Sequence, residues 1–302
     1  MAGGTVLVIG RASVPRSGWH TATVAANTPE TTSAARLELD VDGWPGNAAG
    51  QHLDVRLTAP DGYSATRSYS IASSGPATGD ATRVVLAVDR VPDGEVSPFL
   101  VDEVRPGDRF EVHGPLGAFF VWQAGAVRGA DAAGGPGASG GADAAGGPDA
   151  SGGADAAAGP GASGGADAAA RPVQLIAGGS GVVPLVAMAQ AHADADDPTP
   201  FRLLYSVRRP ADVFFAAELE RLTAASAPFR LDLVYTREAP AGWPTPPARI
   251  TREALAAAVV PASDDPLVYV CGSTGFVERV ASWLIELGHD ARAIRTERFG
   301  GT

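Results

Sequence analysis

Lysine is missing from this 302-residue chain altogether, so all 23 basic residues are arginines. That excludes a Schiff-base lysine and the lysine of a phosphate-binding loop. Cysteine occurs once, at Cys271, which excludes an intrachain disulfide and a cysteine-ligated iron–sulfur cluster. No apolar run approaches the ~20 residues that span a bilayer. The start, Met1 to Gly10, has no positive region and only a short apolar run, so it does not read as an export signal. The histidines at 20, 52, 113, 192 and 289 show no metal-ligand spacing, and no Gly-x-Ser-x-Gly elbow occurs. A metal-free cytoplasmic protein without a membrane span is expected. Net charge is −11 with no basic block, which argues against a nucleic-acid partner.

What is present divides into unlike parts. From Gly129 a segment of 12 residues, rich in Gly, Ala, Asp and Pro, recurs from Gly141 and Gly153 and begins again at Gly165. A stacking repeat must bury apolar groups, and this one has none to bury. Residues 126–170 therefore read as an acidic linker. It separates residues 15–125, preceded by a tail at 1–14, from residues 171–302.

Residues 15–125 alternate and turn often. His20–Ala26, Arg36–Asp40, His52–Ala59, Ala65–Ile71, Arg83–Val88 and Arg109–His113 are β-rich, with turn clusters such as Pro60-Asp61-Gly62 between them. Six such strands and one helix, near Ser97–Val104, predict a small closed antiparallel barrel. Residues 171–302 instead alternate strand and helix. Strands at Val173–Ala177, Phe201–Ser206, Arg230–Tyr235, Leu267–Val270 and Ala291–Thr296 are separated by helices at Val183–Ala193, Asp212–Ala225, Arg252–Val259 and Phe276–Leu287. That rhythm predicts a doubly wound parallel sheet, with ligands outside the carboxyl ends of its strands.

The end of the first of those strands, Ala177-Gly178-Gly179-Ser180-Gly181-Val182-Val183-Pro184, carries the clearest local chemistry. Its glycines let the backbone turn sharply beside a pyrophosphate, whose charge suits the helix N-terminus that follows. Pro184 in the first helical turn costs no hydrogen bond. A glycine is missing at the third position, so this is not the usual dinucleotide fingerprint.

Taken in order, Trp44-Pro45-Gly46, Gly50-Gln51-His52, Arg67-Ser68-Tyr69-Ser70, Gly94-Glu95-Val96-Ser97, Gly114-Pro115-Leu116-Gly117, Gly179–Pro184, Tyr205-Ser206-Val207-Arg208 and Cys271-Gly272-Ser273 resemble the ferredoxin–NADP reductase superfamily. The likeness is to stand-alone bacterial oxidoreductases with FAD and NAD(P) domains, and it runs from about Trp19 to Gly300. It implies an FAD-binding barrel followed by an NAD(P)-binding domain.

The resemblance also implies roles. Arg67 would grip the FAD pyrophosphate, and Ser68 belongs to the same motif. Tyr69 would lie against the isoalloxazine, and Ser70 would offer a hydroxyl near N5. Val88 and Asp89 would line the flavin. Gly94, Val96 and Ser97 would open a helix holding the second phosphate, the feature that favours FAD over FMN. Gly179, Gly181 and Pro184 would shape the pyridine-nucleotide site, with Ser206 beside the adenosine ribose. Arg208 and Arg209, with Arg237 as a further cation, suit a 2′-phosphate and tilt the choice toward NADPH over NADH. Cys271 and Gly272 would lie beside the nicotinamide, Cys271 without a covalent role, and Phe299 is the candidate aromatic over the flavin face. The implied reaction takes a hydride from NAD(P)H to FAD and sends electrons to a separate acceptor. A ferredoxin-like protein of an oxygenase or P450 system leads. A small acceptor such as free flavin, a ferric chelate or a quinone comes next, and a flavin-binding module without turnover comes last.

Overall fold

A computed structural model describes residues 18–125, 171–225 and 228–299. The expected tail at 1–14 and the linker at 126–170 lie outside these residues.

In the first domain, β-branched and leucine residues recur at every second position, and this alternation decides which face is buried. β1 (Gly18–Pro29), β2 (Ala34–Asp42), β4 (His52–Thr58), β5 (Ser64–Ser70), β7 (Ala81–Asp89) and β8 (Arg109–Leu116) form one antiparallel sheet. Their order is β5-β4-β8-β1-β2-β7. The short strands β3 (Gly46–Asn47) and β6 (Gly75–Pro76) pair beside it. Leu37, Leu39 and Val41 on β2 and Val84, Leu86 and Val88 on β7 point inward and are fully buried. The sheet curls until its two edges meet, where Ile71 bridges Leu86 and the Ala72 N–H donates to Val85 O at 2.8 Å. The expected helix at Ser97–Val104 is one wide π-type turn, Phe99–Glu103. Leu100 plugs the barrel there, and the Asn27 side chain donates to Leu100 O and Val104 O.

In the second domain, five parallel strands run β11-β10-β9-β12-β13: β9 (Val173–Gly178), β10 (Phe201–Val207), β11 (Phe229–Tyr235), β12 (Leu267–Ser273) and β13 (Ile294–Phe299). α1 (Val182–Asp194) and α2 (Ala216–Ala225) pack on one face with Leu175, Leu203 and Tyr205. α3 (Arg252–Ala258) and α4 (Thr274–Glu286) pack on the other with Ile176, Leu204 and Val270. The sheet is therefore doubly wound. The chain order reverses between β9 and β12, which opens a crevice at their carboxyl ends. Among the boundaries that shift from the sequence reading, two have a visible local cause. α2 begins at Ala216 because Phe215 adopts a left-handed φ of 54°, which a helix cannot contain. The last strand starts at Ile294, after a short 3₁₀ turn at Ala291–Ala293. Among the described residues no helix is long and apolar enough to cross a membrane.

The two domains share a core. Phe120 and Trp122, which follow the barrel, pack edge-on against Tyr269 and Phe201 with ring centroids 5.3 and 5.0 Å apart. Val121 O accepts from the Tyr269 hydroxyl at 2.8 Å and from Arg295 at 3.0 Å. At Gly50, with φ +99°, a Cβ would lie 2.1 Å from Phe120 O and 2.5 Å from Met188 Cε, so only glycine fits this junction.

Candidate active site

The curled edge of the barrel and the carboxyl ends of the parallel strands face each other across a cleft of about 850 Å³. β5 supplies Arg67, Ser68, Tyr69 and Ser70 to one wall, and Asp89 and the Gly94–Ser97 loop extend it. Opposite lie Gly179 and Ser180 after β9, Ser206 and Arg208 at the end of β10, and Phe299 closing β13. Twelve of the positions expected from sequence are thus gathered in one place by strands distant in the chain.

On the barrel wall, one Arg67 amine donates to Glu95 Oε2 at 2.8 Å, and the Tyr63 hydroxyl holds the other Glu95 oxygen at 3.0 Å. The guanidinium is half exposed, and this ion pair steadies it at the cleft mouth. Burial pushes the Tyr69 phenol up to about 12, so it stays neutral and offers a flat face. Ser70 is buried, and its hydroxyl has no hydrogen-bond partner among the described residues. A buried orphan of that kind marks a position where a bound molecule completes the bonding. Ser97 Oγ accepts the Val91 N–H at 3.0 Å, which shapes the Val91–Ser97 loop.

Several expected residues lie elsewhere. Val88 belongs to the barrel core, because alternation that turns Asp89 outward turns Val88 inward. Gly181 and Pro184 do not line the cleft. A Cβ at Gly181 would sit 2.3 Å from Cys271 O, so this glycine serves close packing of the helix start on β12. Cys271 is fully buried on the central strand next to β9, and burial, with Glu297 next, pushes its thiol well above the usual range. Gly272 lies under Phe276, whose ring would contact a Cβ there at 2.9 Å. Two of the three expected 2′-phosphate cations are engaged with carboxylates. Arg208 meets Asp212 at 3.5 Å, Arg209 meets Glu238 at 3.8 Å, and neither Arg209 nor Arg237 lines the cleft.

The sequence reading missed Thr31, Ser33, Asp212, Phe214, Ser273 and Phe276, which all line the cleft. It also missed Glu297, a half-buried carboxyl on β13 two residues before Phe299, which burial raises to about 7. Glu297 Oε1 lies 3.5 Å from His52 Nδ1 across the domain boundary.

A flavin-sized cleft walled by an Arg-Ser-Tyr-Ser strand and a glycine turn at a parallel sheet's switch point defines a two-domain flavin- and pyridine-nucleotide-dependent oxidoreductase. The residues fit FAD: a cation at the mouth, a neutral aromatic face and an unpartnered buried hydroxyl lie on one strand. Comparison with known proteins agrees. Residues 23–121 match the model of the oxidoreductase FAD-binding domain and residues 175–282 that of the oxidoreductase NAD-binding domain. The chain belongs to the ferredoxin reductase-like family of FAD- and NAD-binding oxidoreductases.

The glycine betaine monooxygenase reductase subunit of Chromohalobacter salexigens is 27% identical over 254 residues, covering 84% of this chain and 56% of its own length. A flavohemoprotein of Rhodopirellula baltica is 26% identical over 302 residues, covering 96% and 63%. The chain thus spans 56–63% of the length of these relatives. The FAD/NAD-binding domain of a Vibrio cholerae nitric oxide dioxygenase superposes with a TM-score of 0.69 at 22% identity, covering 95% of this chain and all of that one. At that identity the likeness is one of fold.

Proposed function

We propose that this chain passes a hydride from NAD(P)H to FAD and sends the electrons on, one at a time, to a separate ferredoxin-type protein of an oxygenase or P450 system. The observation that carries this reading is the two-sided cleft, in which Arg67–Ser70 faces Gly179, Ser180 and Phe276. FAD, when bound, supplies the hydride-accepting and electron-relaying chemistry.

The protein's part is binding and orientation. Arg67 holds the FAD pyrophosphate by its planar guanidinium, and the Glu95 carboxylate keeps that guanidinium extended toward the mouth. Tyr69 flanks the isoalloxazine, and Ser70 gives its unpartnered hydroxyl to the ring edge. Gly179 and Ser180 bring backbone N–H groups and the positive end of α1 to the nucleotide phosphates. Phe276 and Phe299 shield the nicotinamide side from water.

Asp212 supports NADH as the preferred donor. Its carboxylate occupies the Arg208 cation that a 2′-phosphate would need, and it would accept a ribose 2′-hydroxyl. These 302 residues hold one cysteine and so cannot themselves ligate an iron–sulfur acceptor. The oxygenase-reductase name of the Chromohalobacter relative supports that acceptor class. A single thiol with no disulfide also suits a reducing, cytoplasmic setting.

The test is anaerobic stopped-flow mixing of the FAD-loaded protein with NADH and, separately, NADPH. Bleaching of the oxidised flavin band within the mixing series is expected, faster with NADH. A flavin left oxidised by both nucleotides overturns the reading. Transfer to a [2Fe–2S] ferredoxin should then outpace transfer to a ferric chelate or a quinone.

A further inference from the structure

The tip of the β1–β2 hairpin, Glu30–Ser33, belongs to the barrel but is tied to both domains. On its own side, Ser33 Oγ donates to Asp89 Oδ1 at 2.8 Å, and the Arg90 N–H donates to Ser33 O at 2.8 Å. These bonds fix the tip to the end of β7, on the flavin wall. On the other side, a Glu30 carboxylate oxygen accepts the backbone N–H of Phe215, the residue just before α2. Behind it, Arg36 pairs with Glu218 in the first turn of α2, and its guanidinium lies 5.4 Å from the Phe215 ring centroid. Thr31 and Ser33 line the cleft from the hairpin, and Asp212 and Phe214 line it from the loop that Glu30 holds.

The position of this tie matters more than its strength. The shared aromatic core reaches the amino end of β10, at Phe201, whereas the loop Arg208–Phe215 leaves its carboxyl end. One anchor holds the domains together, and the other sets how far the nucleotide loop stands from the flavin wall. A carboxylate suits the second anchor, because the first N–H groups of a helix lack internal acceptors and carry its positive end. Phe215, held at φ 54° and 2% exposed, has little room to adapt if the bond is lost.

We propose that Glu30 is a positioning residue for the hydride donor. Through Phe215 it holds Arg208–Phe215 against the barrel, so that the adenosine half of the nucleotide meets a preformed wall. This rests on the reading that the nucleotide binds across this cleft. A displaced loop weakens binding while leaving the flavin and the ring-to-ring geometry of the bound complex in place.

The experiment uses the FAD-loaded full chain as wild type, Glu30→Ala, Glu30→Gln and Arg36→Gln. Kd for NAD⁺ is read from the perturbation of the flavin spectrum, and KM and kcat for NADH are read with ferricyanide as acceptor. Glu30→Ala should raise Kd and KM about tenfold, with kcat within twofold and an unchanged flavin-to-protein ratio. Glu30→Gln keeps an oxygen acceptor for the Phe215 N–H and should stay within about threefold of wild type. Arg36→Gln should move Kd and KM in the same direction as Glu30→Ala, by less. An unchanged Kd in Glu30→Ala overturns the proposal, as does a Gln variant as weak as the Ala variant. Loss of flavin or of a cooperative melt in Glu30→Ala would mark a purely structural role and overturn it too. A wild type whose flavin neither nucleotide reduces removes the underlying functional reading, which the wild-type trace alone reveals.

Discussion

The Arg208 guanidinium lies 3.5 Å from the carboxylate of Asp212, four residues further on, and both side chains line the nucleotide side of the cleft. A 2′-phosphate brought to that cation would meet the carboxylate as well. We predict that wild type prefers NADH and that Asp212→Ala shifts the ratio of kcat/KM values toward NADPH by about tenfold, roughly 1.4 kcal/mol. Steady-state rates with the two nucleotides check this. A wild type that favours NADPH counts against it.

Arg67 and Tyr69 leave β5 on the cleft side; Tyr69 packs against the barrel core while only partly buried, and neither change removes a fully buried core residue. Arg67→Ala and Tyr69→Ala should therefore fold and lose FAD, read as the flavin-to-protein absorbance ratio after gel filtration. Full occupancy in both variants would remove β5 from the flavin site.

Glu297 gives a pH dependence whose sign follows from its raised pKa. Burial moves the carboxyl from 4.5 to about 7, so the folded chain favours the protonated form. Stability is full below the unfolded value and falls as pH rises from about 4.5 to 7. The loss is on the order of 3 kcal/mol by linkage. His52 offers no counter-charge at pH 8, since burial lowers its pKa. Glu297→Gln should melt several degrees above wild type at pH 8, with the gap closing toward pH 5. A variant that melts lower at pH 8 contradicts the assignment.

The described segments that flank the repeat are anchored close to one another. The Gly125 N–H reaches the Asp197 carboxylate, and the Val173 N–H donates to Pro200 O at 2.9 Å, three residues further on. Replacing Gly129–Ala170 by a few glycines and serines should leave the rate of flavin reduction within about threefold, since loop-closure entropy varies slowly with length. Stopped-flow reduction of the shortened chain checks this, and a collapse of the rate would give the repeat an active part.

The elements were legible where one periodicity ruled. Leu37-x-Leu39-x-Val41 can only be a half-buried strand, and Val173–Ala177 followed by glycines can only be a buried strand turning into a helix. Phe215 broke that legibility at α2, because nothing local announces a left-handed phenylalanine. In the site, Arg67, Tyr69 and Ser70 were readable from their order among the motifs. The misplacement of Val88 was avoidable, since the alternation that buries Val84 and Leu86 buries Val88 too.

The sequence by itself determined the two folds and the cofactor-sized motifs, because these follow from local periodicity and glycine placement. Tertiary structure decided what each candidate touches. It buried Cys271 within the sheet, set Gly181 against that strand, and gave Arg208 to Asp212. It also brought Thr31 and Ser33 from a bare turn to the wall of the cleft and set the Glu30 carboxylate on the Phe215 N–H. These are relations between residues up to 185 positions apart, fixed by how two cores dock, and no local pattern encodes them.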